Sequence, residues 1–168
     1  MTTSERTVPP LPASSSESAL AQWASVVCDE PCDEDLVYVA FFDRGEYPCA
    51  NLIRLRGLPR LPYGRDVASL ERVVRDQASD VRARSVVLVW QREGETPLDD
   101  LAVATWSRGL DERLRRGPLS LRGQVRRTPG GFDPAPRLPG QVTATDLPEG
   151  FDVPGEGPQL IPMRNPYH

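Results

Sequence analysis

Two stretches of this chain have no polar face. Leu36-Val37-Tyr38-Val39-Ala40-Phe41-Phe42 is one, and Val86-Val87-Leu88-Val89-Trp90, within Ser85 to Gln91, is the other. Uninterrupted apolar runs of this length are what strands covered on both faces require. Elsewhere the apolar residues recur at helical spacing. Leu20, Trp23, Ala24 and Val27 predict a short amphipathic helix from about Ser15 to Val27, preceded by Ser14-Ser15-Ser16-Glu17, a capping-box pattern. Val67, Leu70, Val74, Ala78 and Val81 place one stripe on a helix over about Asp66 to Arg82. Its other side carries the charge pairs Glu71/Arg75 and Arg72/Asp76. Thr96-Pro97-Leu98-Asp99 opens a third helix with a threonine cap, a proline at the first position and an acid in the first turn. Leu98, Leu101, Ala102, Trp106, Leu110 and Leu114 are its apolar residues, and Gly117-Pro118 stops it.

Between these elements, Asp43-Arg44-Gly45-Glu46 signals a turn, and Tyr47 to Arg56 reads as the hairpin partner of the first apolar run. Pro48 cannot donate to a ladder, which assigns that partner to a sheet edge. Leu119, Leu121, Gly123 and Val125 alternate with polar residues, predicting a last strand with one exposed face. The order is helix, strand, hairpin strand, helix, strand, helix, strand. A crossover from Phe42 to Val86 through the helix implies parallel central strands with a right-handed connection. The expected fold is α/β, a three-layer domain with a mixed sheet of about four strands. Residues 1–13 are expected to be disordered and residues 14–127 to form the domain. Residues 128–168, with nine prolines and six glycines and no periodicity, are expected to form an irregular tail.

Composition narrows the chemistry. All 20 basic residues are arginine, the only histidine is His168, and net charge is −4. There is no lysine for a Schiff base and no internal imidazole for acid–base work at neutral pH. The arginine bias matches a GC-rich coding sequence. The balance is acidic overall, so nothing global points to nucleic acid or an acidic membrane. Neither a signal-peptide pattern nor an apolar run long enough to span a bilayer is present, so the chain reads as cytoplasmic, with reduced Cys28, Cys32 and Cys49.

From about Leu20 to Arg127 the chain resembles the actinobacterial DUF4192 family. The likeness lies in Pro31-Cys32-Asp33-Glu34-Asp35-Leu36-Val37-Tyr38-Val39-Ala40-Phe41, in a turn and a strand ending near Leu58-Pro59, and in a helix followed by Arg84 to Val89. The Gly-Phe-x-Pro lead-in and the later cysteine-bearing segment are missing. The resemblance implies an intracellular α/β protein without an assigned activity.

Candidate sites are few. Cys28-x-x-x-Cys32 with Cys49 offers three metal ligands where structural zinc takes four, and the spacing is not that of a thioredoxin-like pair. They read as ordinary thiols. The acidic run Asp29 to Asp35 lacks the calcium-loop register and reads as a solvated loop or a docking surface for a basic partner. No cofactor motif is present: Gly130-Gly131 precedes no helix. Seven arginines lie between Arg108 and Arg127 against Asp111 and Glu112. The helix pairs Asp111/Arg115 and Glu112/Arg116 offset part of this charge. The remainder could meet an anion or nucleic acid through Arg113, Arg116, Arg122, Arg126 and Arg127. In the tail, Phe132, Phe151, Leu160, Ile161, Met163 and Tyr167 are spaced apolar anchors of the kind that lay a proline-rich peptide across a protein partner or a second copy.

The leading expectation is therefore a non-enzymatic interaction or accessory protein with an α/β scaffold and a docking tail. A nucleic-acid-associated regulator using the arginine strip is one alternative. A carboxylate-dependent enzyme at the sheet's C-terminal edge, near Asp43 and Glu93, is the other, resting on fold alone.

Overall fold

The two apolar runs become the central strands of a five-stranded sheet. A computed structural model describes residues 8–12, 16–50 and 52–138. Its elements in order are α1 (Glu17–Val27), β1 (Leu36–Phe42), β2 (Ile53–Arg56), α2 (Gly64–Asp80), β3 (Ser85–Gln91), α3 (Pro97–Leu114), β4 (Ser120–Thr128) and β5 (Gly131–Pro134). The sheet order is β2-β1-β3-β4-β5. Every residue of β1 and β3 is buried, as their missing polar face demands.

Alternation along β1 divides the core. Leu36, Tyr38, Ala40 and Phe42 point with Val87, Val89 and Val125 toward α1. Val37, Val39 and Phe41 point with Val86, Leu88 and Trp90 toward α2 and α3. The result is three layers, with α1 on one face and two helices on the other. Trp106 of α3 lies against Trp90, with ring centroids 5.8 Å apart, and each indole N–H has a partner. That of Trp90 donates to Gln124 Oε1 at 2.8 Å and that of Trp106 to the Pro59 carbonyl at 3.0 Å. Gly123 lies directly under the Leu20 side chain, and a Cβ there would collide with it. The close seating of α1 on β4 depends on that glycine.

The helix boundaries follow the local signals. Ser16, rather than Ser14, caps α1 by accepting from the Ala19 N–H at 3.3 Å. At α3, Thr96 Oγ1 accepts from Asp99 N–H at 3.3 Å and Asp99 Oδ2 from Thr96 N–H at 2.9 Å, a reciprocal capping box. On α3, Leu98 and Leu101 face outward rather than into the core.

Four expectations are corrected. The central strands β1 and β3 are antiparallel, from Leu36 opposite Gln91 to Phe42 opposite Ser85. The hairpin reverses the chain once before α2, so the α2 crossover returns it parallel to β2, and β1 lies between. The parallel central pair is instead β3 and β4, joined through α3. Second, Tyr47 to Arg56 is not one strand: β2 spans Ile53–Arg56, and Pro48 makes only an isolated bridge to Phe42. It is nonetheless the edge strand that Pro48 suggested.

Third, β4 is not last. The chain turns at Pro129-Gly130 and returns as β5, pairing Thr128 with Gly131 through Val125 with Pro134. Beyond Ser120 every residue of β4 is half-buried or buried, so the exposed face expected for it is absent. Fourth, part of the segment expected to be disordered is core. Val8 and Leu11 are buried against α1, Leu11 N–H donates to the Glu46 carbonyl at 3.0 Å, and the Trp23 indole donates to the Pro9 carbonyl at 3.2 Å.

Candidate functional site

The carboxyl ends of β3 and β4 gather most of the buried polar side chains among the described residues. Gln91 closes the β3 run, and its Nε2 donates to the Glu34 carbonyl at 2.9 Å. Its Oε1 accepts from Arg127 Nη1 at 2.7 Å and from the Tyr38 hydroxyl at 3.3 Å. Arg127 also donates to the Glu30 carbonyl, and its guanidinium stacks over Phe132 at 5.3 Å. One residue on, Arg92 is 2% exposed. It pairs through Nη1 with Asp35 Oδ2 at 3.3 Å, while Nε and Nη2 have no hydrogen-bond partner. Burial holds its pKa below the ordinary arginine value, against the pull of Asp35.

Around it, Arg60 reaches Asp99 at 3.1 Å and Asp35 at 3.9 Å, and Arg126 pairs with Asp100. The hydrogen bond from Thr96 keeps the Asp99 carboxyl below the usual carboxylate range despite its burial. Thr128 and the Gly130 N–H do the same for Glu95. Both carboxylates tie the β3–α3 loop to neighbouring segments, Asp99 through Arg60 and Glu95 through the Gly130 N–H.

Asp43 and Glu93, the carboxylates that the enzyme reading brings together, lie at opposite edges. Asp43 follows β1 beside Arg84, whose N–H bonds the Phe42 carbonyl, whereas the Glu93 N–H donates to Asp35 Oδ1 at 3.1 Å at the far end. The antiparallel β1–β3 pairing separates them.

The arginine strip is likewise dispersed. Arg113 bonds Glu71 at 3.1 Å, Arg122 pairs with Glu46, and Arg126 and Arg127 are engaged as above. Arg116 is exposed, with no ion pair among the described residues. Asp111 pairs with Arg115 at 2.7 Å as its spacing predicts, but Glu112 pairs with Arg108 at 2.9 Å instead of Arg116. β5 covers one flank of β4 and α1 one face, and the resulting burial turns a would-be cationic strip into internal pairs.

The acidic run is also neutralised from within. Glu30 bonds Arg54 at 2.6 Å, Glu34 bonds Arg56 at 2.7 Å, and Asp35 faces Arg92. Arg54 and Arg56 of β2, and Arg92 just after β3, take up charges that look free along the sequence.

The three cysteines are free thiols and do not converge. Cys28 packs on the α1 face, Cys49 on the opposite face, and Cys32 Sγ donates to the Arg92 carbonyl at 3.4 Å. Among the described residues no group of three or more His, Cys, Asp or Glu side chains could hold a metal. Burial pushes the Cys28 thiol up to about 12. Alkylation at pH 8 is therefore expected to leave Cys28 at least about 100-fold slower than an unhindered thiol, with its rate still climbing toward pH 12. Peptide mapping after timed iodoacetamide treatment would reveal it, and equal labelling of all three cysteines would contradict the burial.

Of the tail anchors, Phe132 belongs to the domain: it sits in β5, packed against the α1-side core. Phe151, Leu160, Ile161, Met163 and Tyr167 lie outside the described residues. The described chain ends at Leu138, just after Arg137 pairs with Glu17 of α1. Beside it, α1 and β5 border an open groove of about 420 Å³ lined by Ser18, Ala21, Gln22, Ser25, Phe132 and Asp133. Two features were missed along the sequence. The Gln91–Arg127–Tyr38 network has no motif, although a glutamine closing an apolar run was a hint. The hairpin into β5 was signalled by Pro129-Gly130-Gly131 ahead of Phe132.

No helix among the described residues is long and apolar enough to cross a membrane. No protein-family model, curated protein or solved structure matches this chain.

Proposed function

We propose that this chain is a non-enzymatic, cytoplasmic interaction protein whose α/β domain is a scaffold and whose proline-rich C-terminal segment engages a protein partner. The observation supporting it is the position of the residues that precede that segment. The last described residues lie beside an open groove formed by α1 and the edge strand β5, where Arg137 pairs with Glu17. A groove beside an edge strand, next to the start of a proline-rich segment, suits a composite surface made of domain and segment together. Resemblance to the DUF4192 family is compatible with this reading and adds no activity to it. The alternatives have less geometric support, because Arg113, Arg122, Arg126 and Arg127 are engaged by other residues of the domain and Asp43 and Glu93 lie at opposite ends of the β1–β3 pair.

The test is affinity capture from cell extract with full-length protein and with a version ending at Leu138. A partner retained by the full chain and lost from the shorter one is the expected result. Equal recovery by two folded baits would overturn the reading.

A further inference from the structure

At the edge opposite the Arg92 cluster, α2 ends in an unusual way. The Ala83 N–H donates to the Ala78 carbonyl at 2.8 Å and the Arg82 N–H to the Ser79 carbonyl at 3.1 Å. These two bonds form a Schellman cap, whose left-handed position normally takes glycine. Here that position is Arg82, at φ 57°. An arginine carries a steric penalty there that glycine avoids. Beyond those two cap bonds nothing inside the domain offsets it: among the described residues the Arg82 guanidinium has neither an ion pair nor a hydrogen bond.

The side chain instead borders a cavity of about 460 Å³ together with Arg75, Arg84, Ser79, Pro118 and Leu119. Arg84 is a second guanidinium without a partner among the described residues. Its backbone is clamped on both sides, N–H to the Phe42 carbonyl at 2.8 Å and carbonyl to the Ser120 N–H at 2.9 Å. Arg75 is the third, held in place by Glu71 at 2.9 Å and by the Arg113 carbonyl at 3.0 Å. No acidic side chain lines the cavity. The negative pole of α2 favours a cation at this edge. It does not require two uncommitted guanidinia beside a third around one concavity with an apolar wall.

We infer that this cavity is a binding site for a small-molecule oxyanion, a phosphate or polyphosphate group carried on a compact body. Its volume lies in the range of small-ligand sites. Planar guanidinium forks match phosphate oxygens in bidentate fashion, and the Ser79 hydroxyl adds a neutral donor. The fixed Arg84 backbone and the held Arg75 side chain provide a preorganised base, leaving Arg82 to close over the ligand. The inference is independent of the docking segment, since the cavity is built wholly from α2, the turn between α2 and β3, and the turn before β4.

Inorganic pyrophosphate titrated calorimetrically into the full-length protein at low salt is the probe. Saturable binding to one site is expected, weakened about tenfold or more in the Arg82→Gly/Arg84→Ser variant. It should be unchanged in Arg65→Ser, which removes an exposed arginine at the other end of α2. Folding of the Arg82→Gly change is secure, because glycine relieves the backbone and should raise the melting midpoint by about 3 °C. No saturable binding up to roughly 10 mM would overturn the site, as would equal weakening by Arg65→Ser.

Discussion

A chain ending at Leu138 is expected to unfold at the same denaturant midpoint as the full-length protein, whereas one ending at Thr128 should be destabilised on the order of 4–6 kcal/mol. The second cut removes β5, and with it a four-residue antiparallel ladder and the Phe132 ring. That ring packs on the α1-side core and stacks on the Arg127 guanidinium. Loss of a large, partly buried aromatic side chain costs about 2 kcal/mol, and the ladder bonds contribute roughly 1 kcal/mol each. Val125, now 1% exposed, would become part of an unprotected edge strand. Since a domain of this size is stable by only about 5–15 kcal/mol, such a loss would be plain in a urea melt. Superimposable melts for the two truncations would mean that β5 adds nothing to the fold.

This contrast also marks how far the sequence could be read. Elements with a strong local signal are where expected: β3 occupies Ser85–Gln91, and α3 starts behind its Thr96–Asp99 box. What failed was non-local. β5 is a four-residue strand whose only apolar side chain of any size is Phe132, and in a proline-rich setting no periodicity marks so short a strand. Its identity comes from pairing with β4. Val8 and Leu11 are likewise two apolar residues in a proline-bearing segment, given meaning only by the α1 surface that they meet. Strand direction failed for a related reason. The order of elements fixes that a crossover exists, but which strand it parallels depends on whether the hairpin strand joins the same sheet.

Charge was the least legible feature. Counting arginines and acids along the chain suggests one cationic strip and one acidic loop. In the fold each is supplied with counter-charges from distant residues: Glu71 for Arg113, Glu46 for Arg122, Arg54 for Glu30. Lysine-free composition makes such pairing easy, since every partner is a planar guanidinium able to bond a carboxylate or a carbonyl in more than one direction. Arg82 and Arg84 are the instructive counter-case. Their local sequence is ordinary, and they stand out only because, among the described residues, both are without a partner at one concavity.

Removal of the Asp35 carboxylate should be among the most damaging single substitutions in the molecule, and removal of the arginine it serves should be among the mildest. Arg92 is almost fully enclosed, and its Nη1 contact with Asp35 is its closest link to a counter-charge. Asp35→Ala leaves that cation buried and unpaired and also frees the Glu93 N–H, for an expected loss of about 3 kcal/mol. Arg92→Leu takes away the desolvated charge itself, including the two nitrogen atoms that have no partner even in the intact protein. An apolar side chain in that enclosed position is expected to be neutral or to stabilise by about 1 kcal/mol. The decisive comparison is the double variant. If the cost of Asp35→Ala comes from stranding Arg92, most of it must vanish once residue 92 is leucine, giving a coupling of about 2 kcal/mol in a denaturation cycle at pH 7. Additive losses would instead place the role of Asp35 in the loop backbone, through Glu93. A trivial effect of Asp35→Ala alone would show that water reaches Arg92 and keeps it solvated.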